Sequence, residues 1–148
     1  ARECDFFSIG TNDLIHYIMG IDRNNRHVAY LNEPLHPAVV RSLKHIVDAA
    51  HREGIGVSVC GELASDPLGM ALLLGMGVDT ISAAPRFVPG LKHLIRQLKS
   101  ETCMELAHSV LMSTDVAASR RMVREQLHQS LGPELAFHTT SLLIHSQP

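Results

Sequence analysis

Asp5-Phe6-Phe7-Ser8-Ile9-Gly10-Thr11-Asn12-Asp13-Leu14 compresses a strand, a turn and the start of a helix into one short segment. Phe6 to Ile9 has the length and apolar content of a buried strand. Gly10 breaks the run, and Thr11, Asn12 and Asp13 put polar groups on the next positions. Leu14, Ile15, Ile18 and Met19 then return at helical spacing. In α/β proteins a ligand sits at the carboxyl end of such strands, on the turn that feeds the helix. A simpler reading, in which Asn12 and Asp13 only cap a helix, fits the spacing equally well.

Outward from this segment the rhythm repeats. Ile21 to His27 reads as a polar loop. Pro37 suits the first position of an amphipathic helix in which Val39, Val40, Leu43, Ile46, Val47 and Ala50 recur at three- and four-residue steps. Gly54 ends it, and a second strand follows near 56–60, closing at Cys60-Gly61-Glu62. Ser65 and Asp66 are candidate caps for a helix opened by Pro67 and stopped by Gly75 and Gly77. A third strand lies near 80–83, and Val88, Leu91, Leu94, Ile95 and Leu98 mark the next helix. This alternation predicts a parallel sheet with right-handed crossovers.

Three such strands neither close a barrel nor cover both faces of a parallel sheet. The expected fold class is α/β, with residues 1–100 as the C-terminal portion, about three βα units, of a (β/α)8 TIM-type barrel. Residues 101–148 are expected to be a helical segment and tail. One helix is read over Met104–Met112, and another, capped by Ser113 or Thr114, runs to Leu131 before Gly132-Pro133. Glu134–Pro148 carries no assignable pattern. Open sheet edges and an apolar inner face would make the chain by itself self-associate or fold weakly.

The 148 residues are the size of one domain, and 45% hydrophobic with 19% charged residues suits a soluble globular protein. A formal net charge of -2 without a basic stripe speaks against a nucleic-acid partner. The apolar run around Met70–Met76 is too short for membrane insertion. Ala1–Asp5 is not a signal peptide and starts almost on a strand, which suggests a chain cut from something longer. Cys4, Cys60 and Cys103 form no disulfide framework, favouring a reducing cytoplasm. The ten histidines fall into no metal-ligand spacing.

In a barrel the strand-end turns share one face, so Asn12, Asp13, Cys60 and Glu62 should converge. Asp13 offers the hard oxygen that Mg²⁺ prefers, and that ion needs few protein ligands because it keeps waters and takes substrate oxygens. The Asn12 amide can donate to a phosphate or carboxylate, and the Arg23 fork can clamp a phosphate twice. Cys60, beside Gly61, presents a thiol at a strand exit. An ordinary thiol, with a pKa of about 8.5, is mostly protonated at neutral pH and can give up a proton as well as attack. Glu62 either approaches the ligand or holds the turn, and Arg86 either reaches the site or stays on the surface. Cys4 and Cys103 read as small buried hydrophobes.

Phe7–Leu14, Ile21-Asp22-Arg23, Leu35-His36-Pro37-Ala38-Val39 and Val57-Ser58-Val59-Cys60-Gly61-Glu62 together resemble a known family. In order and spacing they are similar to the phosphoenolpyruvate-binding barrel of the phosphoenolpyruvate-protein phosphotransferases, the enzymes I of the bacterial sugar phosphotransferase system. The resemblance runs from Asp5 to Leu98. The dikinases and phosphoenolpyruvate synthases share the Asn-Asp and Cys-Gly turns, but the Leu-His-Pro-Ala and Val-Cys-Gly-Glu forms look more like enzyme I.

This resemblance implies that Asn12 and Arg23 hold the phosphate of phosphoenolpyruvate and that Asp13 ligates Mg²⁺. It also implies that Cys60 is the acid that protonates C3 of the departing enolate, giving pyruvate. The phosphoryl group would pass to a histidine outside this chain and on to a phosphocarrier protein, in a cytoplasmic homodimer joined through the barrel domain. The family's Thr-Ser-His signature does not occur, and His138-Thr139-Thr140 has the wrong order. A second metal-binding carboxylate and further arginines are expected upstream, so this chain is expected to hold one wall of the site and not to catalyse alone. The alternatives are a non-catalytic dimerisation segment of the same protein and a fragment of a related synthase or dikinase.

Overall fold

The computed structural model describes residues 1–22 and 25–132. The readings made for Arg23, Pro133 and Glu134–Pro148 fall outside the described residues.

Strands β1 (Phe6–Gly10), β2 (Gly56–Cys60) and β3 (Thr80–Ser82) form a parallel sheet in the order β1-β2-β3. Phe6 pairs with Gly56 and Gly10 with Cys60, while Ser58 pairs with Thr80 and Cys60 with Ser82. Partners in a parallel ladder point the same way, and side chains alternate along each strand. Ile9, Val57 and Val59 are accordingly buried on one face. The other face carries Phe6, Ser8, Ser58, Cys60, Thr80 and Ser82.

That second face corrects one expectation. It is not apolar: Phe6, 65% exposed, is its one large apolar residue, and the remainder is mostly hydroxyl-bearing. The core lies wholly on the helical side.

Beside the sheet stand helices α1 (Thr11–Met19), α2 (Pro37–Arg52), α3 (Glu62–Ser65), α4 (Pro67–Met76), α5 (Val88–Gln97), α6 (Ser100–Met112) and α7 (Val116–Leu131), with a 3-10 turn at Ala29–Leu31 between α1 and α2. Pro37 opens α2, and the His36 ring accepts from the Ala38 amide at 3.2 Å. The buried face of α2 runs through Val39, Val40, Leu43 and Val47. Helix α4 is apolar on every side because α3, α5, α6 and α7 all pack around it. Gly75 does not stop α4 as the sequence suggests. It lies inside the helix, where an added Cβ would overlap the Cys103 carbonyl of α6. Gly77, at φ 87°, makes the actual exit.

Two other boundaries move. Helix α6 begins at Ser100, a turn before Met104; its first turn is polar and Lys99 gives no side-chain cap, so neither an apolar stripe nor a cap marks that start in the sequence. Helix α7 is capped by Asp115, not Ser113 or Thr114. The Asp115 carboxylate accepts from the amides of Ala117 (3.4 Å) and Ala118 (2.8 Å), whereas the Ser113 hydroxyl donates to the Asp115 carbonyl at 2.9 Å.

Chain direction fixes which parts lie together. The starts of α2 and α4 follow the carboxyl ends of β1 and β2, so they lie at that end of the sheet. The α6–α7 junction is tied there: Arg41 of α2 donates to the carbonyls of Leu111 (3.2 Å) and Ser113 (3.0 Å). Arg120 of α7 pairs with Glu33 at 2.5 Å. At the opposite end, Asp79 accepts from the Val57 amide (2.8 Å) and meets the His51 ring (3.1 Å). The Val57 amide, followed by His51, holds the Asp79 carboxyl below the usual carboxylate range. No described helix is long and apolar enough to cross a membrane.

Candidate functional site at the strand ends

Gly10 and Cys60 stand opposite each other as the last residues of adjacent strands. The residues that follow each of them therefore leave the sheet side by side. From β1 come Thr11, Asn12 and Asp13; from β2 come Gly61 and Glu62. The structure thus brings Asn12, Asp13, Cys60 and Glu62 to one end of the sheet.

Asn12 and Asp13 belong to the first turn of α1 rather than to a turn before it. Gly10 occupies the N-cap and supplies no side-chain cap, so no side chain occupies the first amides of the helix from that position. A helix start of this kind attracts negative charge. Asp13 is exposed there, and its carboxylate has no hydrogen-bond or ion-pair partner among the described residues. Asn12 is half-buried, and its Oδ1 accepts from the Glu62 amide at 3.3 Å.

Two features of the seam were missed in reading the sequence. Thr11 is fully buried, and its hydroxyl donates to the Cys60 carbonyl at 2.8 Å. Gly61 sits at φ 105°, where an L side chain is strained, and an added Cβ would overlap Thr11 Oγ1. The signal was present: a glycine on each strand exit, with a hydroxyl residue directly after one of them.

Cys60 is half-buried on the open face of the sheet, two residues from Ser58 on the same side and level with Ser82 of β3. Glu62 starts α3, and its backbone holds the turn through Asn12. Arg86 stacks over the Phe87 ring, 4.6 Å from its centre. Cys103 is buried, which pushes its thiol pKa up, but Cys4 is exposed and not the buried hydrophobe expected. Asp66, the cap of α4, has a carboxyl raised by desolvation, with the Leu68 amide and Arg120 acting in the opposite sense. Among the described residues no group of three His, Cys, Asp or Glu side chains converges on a common point.

Residues 1–100 match the family model described as PEP-utilising enzyme, PEP-binding domain. The chain is 46% identical over 111 residues to the phosphoenolpyruvate-protein phosphotransferase of Bacillus sp. (strain S), covering 75% of this chain and 19% of that one. The phosphotransferase of the same name from Haemophilus influenzae is 42% identical over 127 residues, 86% of this chain and 22% of its own. The multiphosphoryl transfer protein of Escherichia coli O6:H1 is 47% identical over 105 residues, 71% of this chain and 13% of its own. The chain thus spans about a fifth of the length of the phosphotransferases it matches.

Proposed function

The chain belongs to the family of PEP-utilising enzymes, in their PEP-binding domain, and we propose on that premise that it forms one wall of a phosphoenolpyruvate site. The observation that carries this reading is the pairing of Gly10 with Cys60 at the carboxyl edge. It brings an uncapped helix start, an amide, a carboxylate and a thiol to the same end of the sheet. In this reading the whole protein is a phosphoenolpyruvate-protein phosphotransferase of the sugar phosphotransferase system. The phosphoryl group leaves phosphoenolpyruvate for a histidine outside this chain and passes on to a phosphocarrier protein.

The roles follow from the chemistry of each group. The Asn12 NH₂, the first amides of α1 and Arg23 hold the phosphate. As the bond between the bridging oxygen and phosphorus breaks, the electron pair moves into the enolate of pyruvate. Cys60 gives its proton to C3 of that enolate, leaving pyruvate and a thiolate. Asp13 suits Mg²⁺ as a single hard-oxygen corner, and the described residues offer no complete set of ligands. When bound, that ion would neutralise charge on the transferring phosphoryl oxygens.

The sheet itself reads as part of a (β/α)8 barrel. Sequential parallel strands, helices on one face and small polar residues on the other support this. Residues 1–100 would be barrel and 101–148 an appended helical segment. A cytoplasmic homodimer joined through the barrel completes the proposal. The alternative of a purely structural segment leaves the exposed Asp13 and the half-buried Cys60 without employment.

The test is made in the full-length protein that carries this chain. Cys60→Ala is expected to slow pyruvate release by about 10²–10⁴-fold while barely changing phosphoenolpyruvate affinity. Arg23→Ala is expected to weaken binding and transfer together. Rapid-quench turnover and a separate binding titration read the two. A Cys60→Ala enzyme that turns over at the parental rate but loses affinity would make the thiol a binding group and overturn the assignment.

A further inference from the structure

We propose that Thr11 is the positioning residue for the Cys60 thiol, an inference that rests on Cys60 acting as the proton donor. Cys60 is held on its amide side by the sheet, through its register with Gly10 on β1 and Ser82 on β3. Its carbonyl side has left the sheet. The next residue is Gly61 at φ 105°, and the chain reverses there into α3.

One bond fixes that side: Thr11 Oγ1 donates to the Cys60 carbonyl at 2.8 Å across 49 residues of sequence. Thr11 is fully buried, so water does not compete for the hydroxyl. The Glu62 amide, bonded to Asn12 Oδ1 at 3.3 Å, holds the next peptide from the same neighbouring turn. The Thr11 bond fixes the plane of the 60–61 peptide, and with it the direction of the Cys60 Cα–Cβ bond, while the Asn12 bond steadies the peptide that follows. A side chain at 61 would have to displace the Thr11 hydroxyl, which already stands where a Cβ would go. The two turns are therefore keyed to each other, with Thr11 as the key and Cys60 as the group it aims. Thr11 does not itself face the ligand volume.

Thr11→Val deletes the hydroxyl and keeps the shape, whereas Thr11→Ser keeps the hydroxyl and deletes the methyl. In the full-length protein Thr11→Val is expected to lower kcat for pyruvate release about 10–100-fold, as misplacement of a reacting group does. KM for phosphoenolpyruvate should change far less, and Thr11→Ser should recover most of the rate. A second readout needs no turnover. In the full-length protein with Cys4 and any other exposed cysteine but Cys60 replaced by serine, and with Cys103 buried, the iodoacetamide alkylation rate of Cys60 should differ from the parent in Thr11→Val and return toward it in Thr11→Ser. If Thr11→Val fails to fold by circular dichroism, Thr11→Ala removes the same hydroxyl in a smaller volume and is read against Thr11→Ser in the same way. Parental kcat and alkylation rate in the hydroxyl-deleted variant would overturn the proposal, as would equal damage from Thr11→Ser. A Cys60→Ala control separates the two layers. If it turns over at the parental rate, the proton-donor reading fails and the alkylation contrast alone decides whether Thr11 positions the thiol.

Discussion

Two seams in this molecule are each closed on a glycine, and they use it differently. Between α4 and α6, Gly75 has ordinary helical geometry and is needed only for space, so that the helix can lie against the Cys103 carbonyl. Between the strand-end turns, Gly61 is needed for space and for its positive φ, and what it approaches is a hydroxyl. The first seam is apolar and encloses Met70, Leu72 and Leu73 completely. The second is polar and borders the open face. A close approach thus serves stability in one place and the aim of a side chain in the other.

Substitution at each seam should separate these roles. Gly75→Ala places a methyl against backbone that cannot yield without parting the helices, and overpacking of this kind costs about 3 kcal/mol. Urea unfolding should show that loss, while the alkylation rate of Cys60 in the folded protein stays near the parental value. A changed alkylation rate would mean that the seams are coupled and would break the comparison.

Gly61→Ala is expected to cost less stability, about 2 kcal/mol for a strained φ, because the obstructing atom is the end of a side chain. Here the alkylation rate should move while the folded state survives. A parental rate would mean that the Cys60–Gly61 turn aims nothing.

The smallest effect lies at the far end of the sheet. The Asp79 carboxyl is depressed by the Val57 amide and His51, so its contribution to stability is present above the unfolded carboxylate pKa, about 3.9, and is lost as pH falls through the folded value. Asp79→Asn should flatten the acid side of the stability–pH curve slightly, since the group is half exposed and solvent screens it. Cys60 reactivity should not respond. A response would carry the influence of this clasp along β2 to the site.

Much of the β-α alternation was legible because each strand is punctuated by glycine and each main helix carries either a proline start or an apolar stripe. The short helix α3 was not, since Glu62–Ser65 is a single turn fixed by contacts from α1 and α4 rather than by its own pattern. Gly75 was misread as a stop because a glycine chosen for a neighbour's backbone looks the same in sequence as one chosen for φ. At the site, Asn12, Asp13 and Cys60 were visible as chemistry-bearing types at strand exits. Thr11 was passed over because its role is a long-range bond to a carbonyl, and carbonyls leave no trace in a sequence. The start of α6 was hidden for want of any cap at Lys99.

The enclosure of α4 has a consequence in time. Its apolar sides are shielded by α6 and α7, which are made later. At synthesis rates of about 5–20 residues per second, several seconds separate the appearance of Met76 from that of Met112. During that interval a helix with no polar side is attached to a nascent sheet and has only α3 and α5 for cover. The chain is then at its most adhesive, and a chaperone with an apolar groove would find its target in Leu68–Met76.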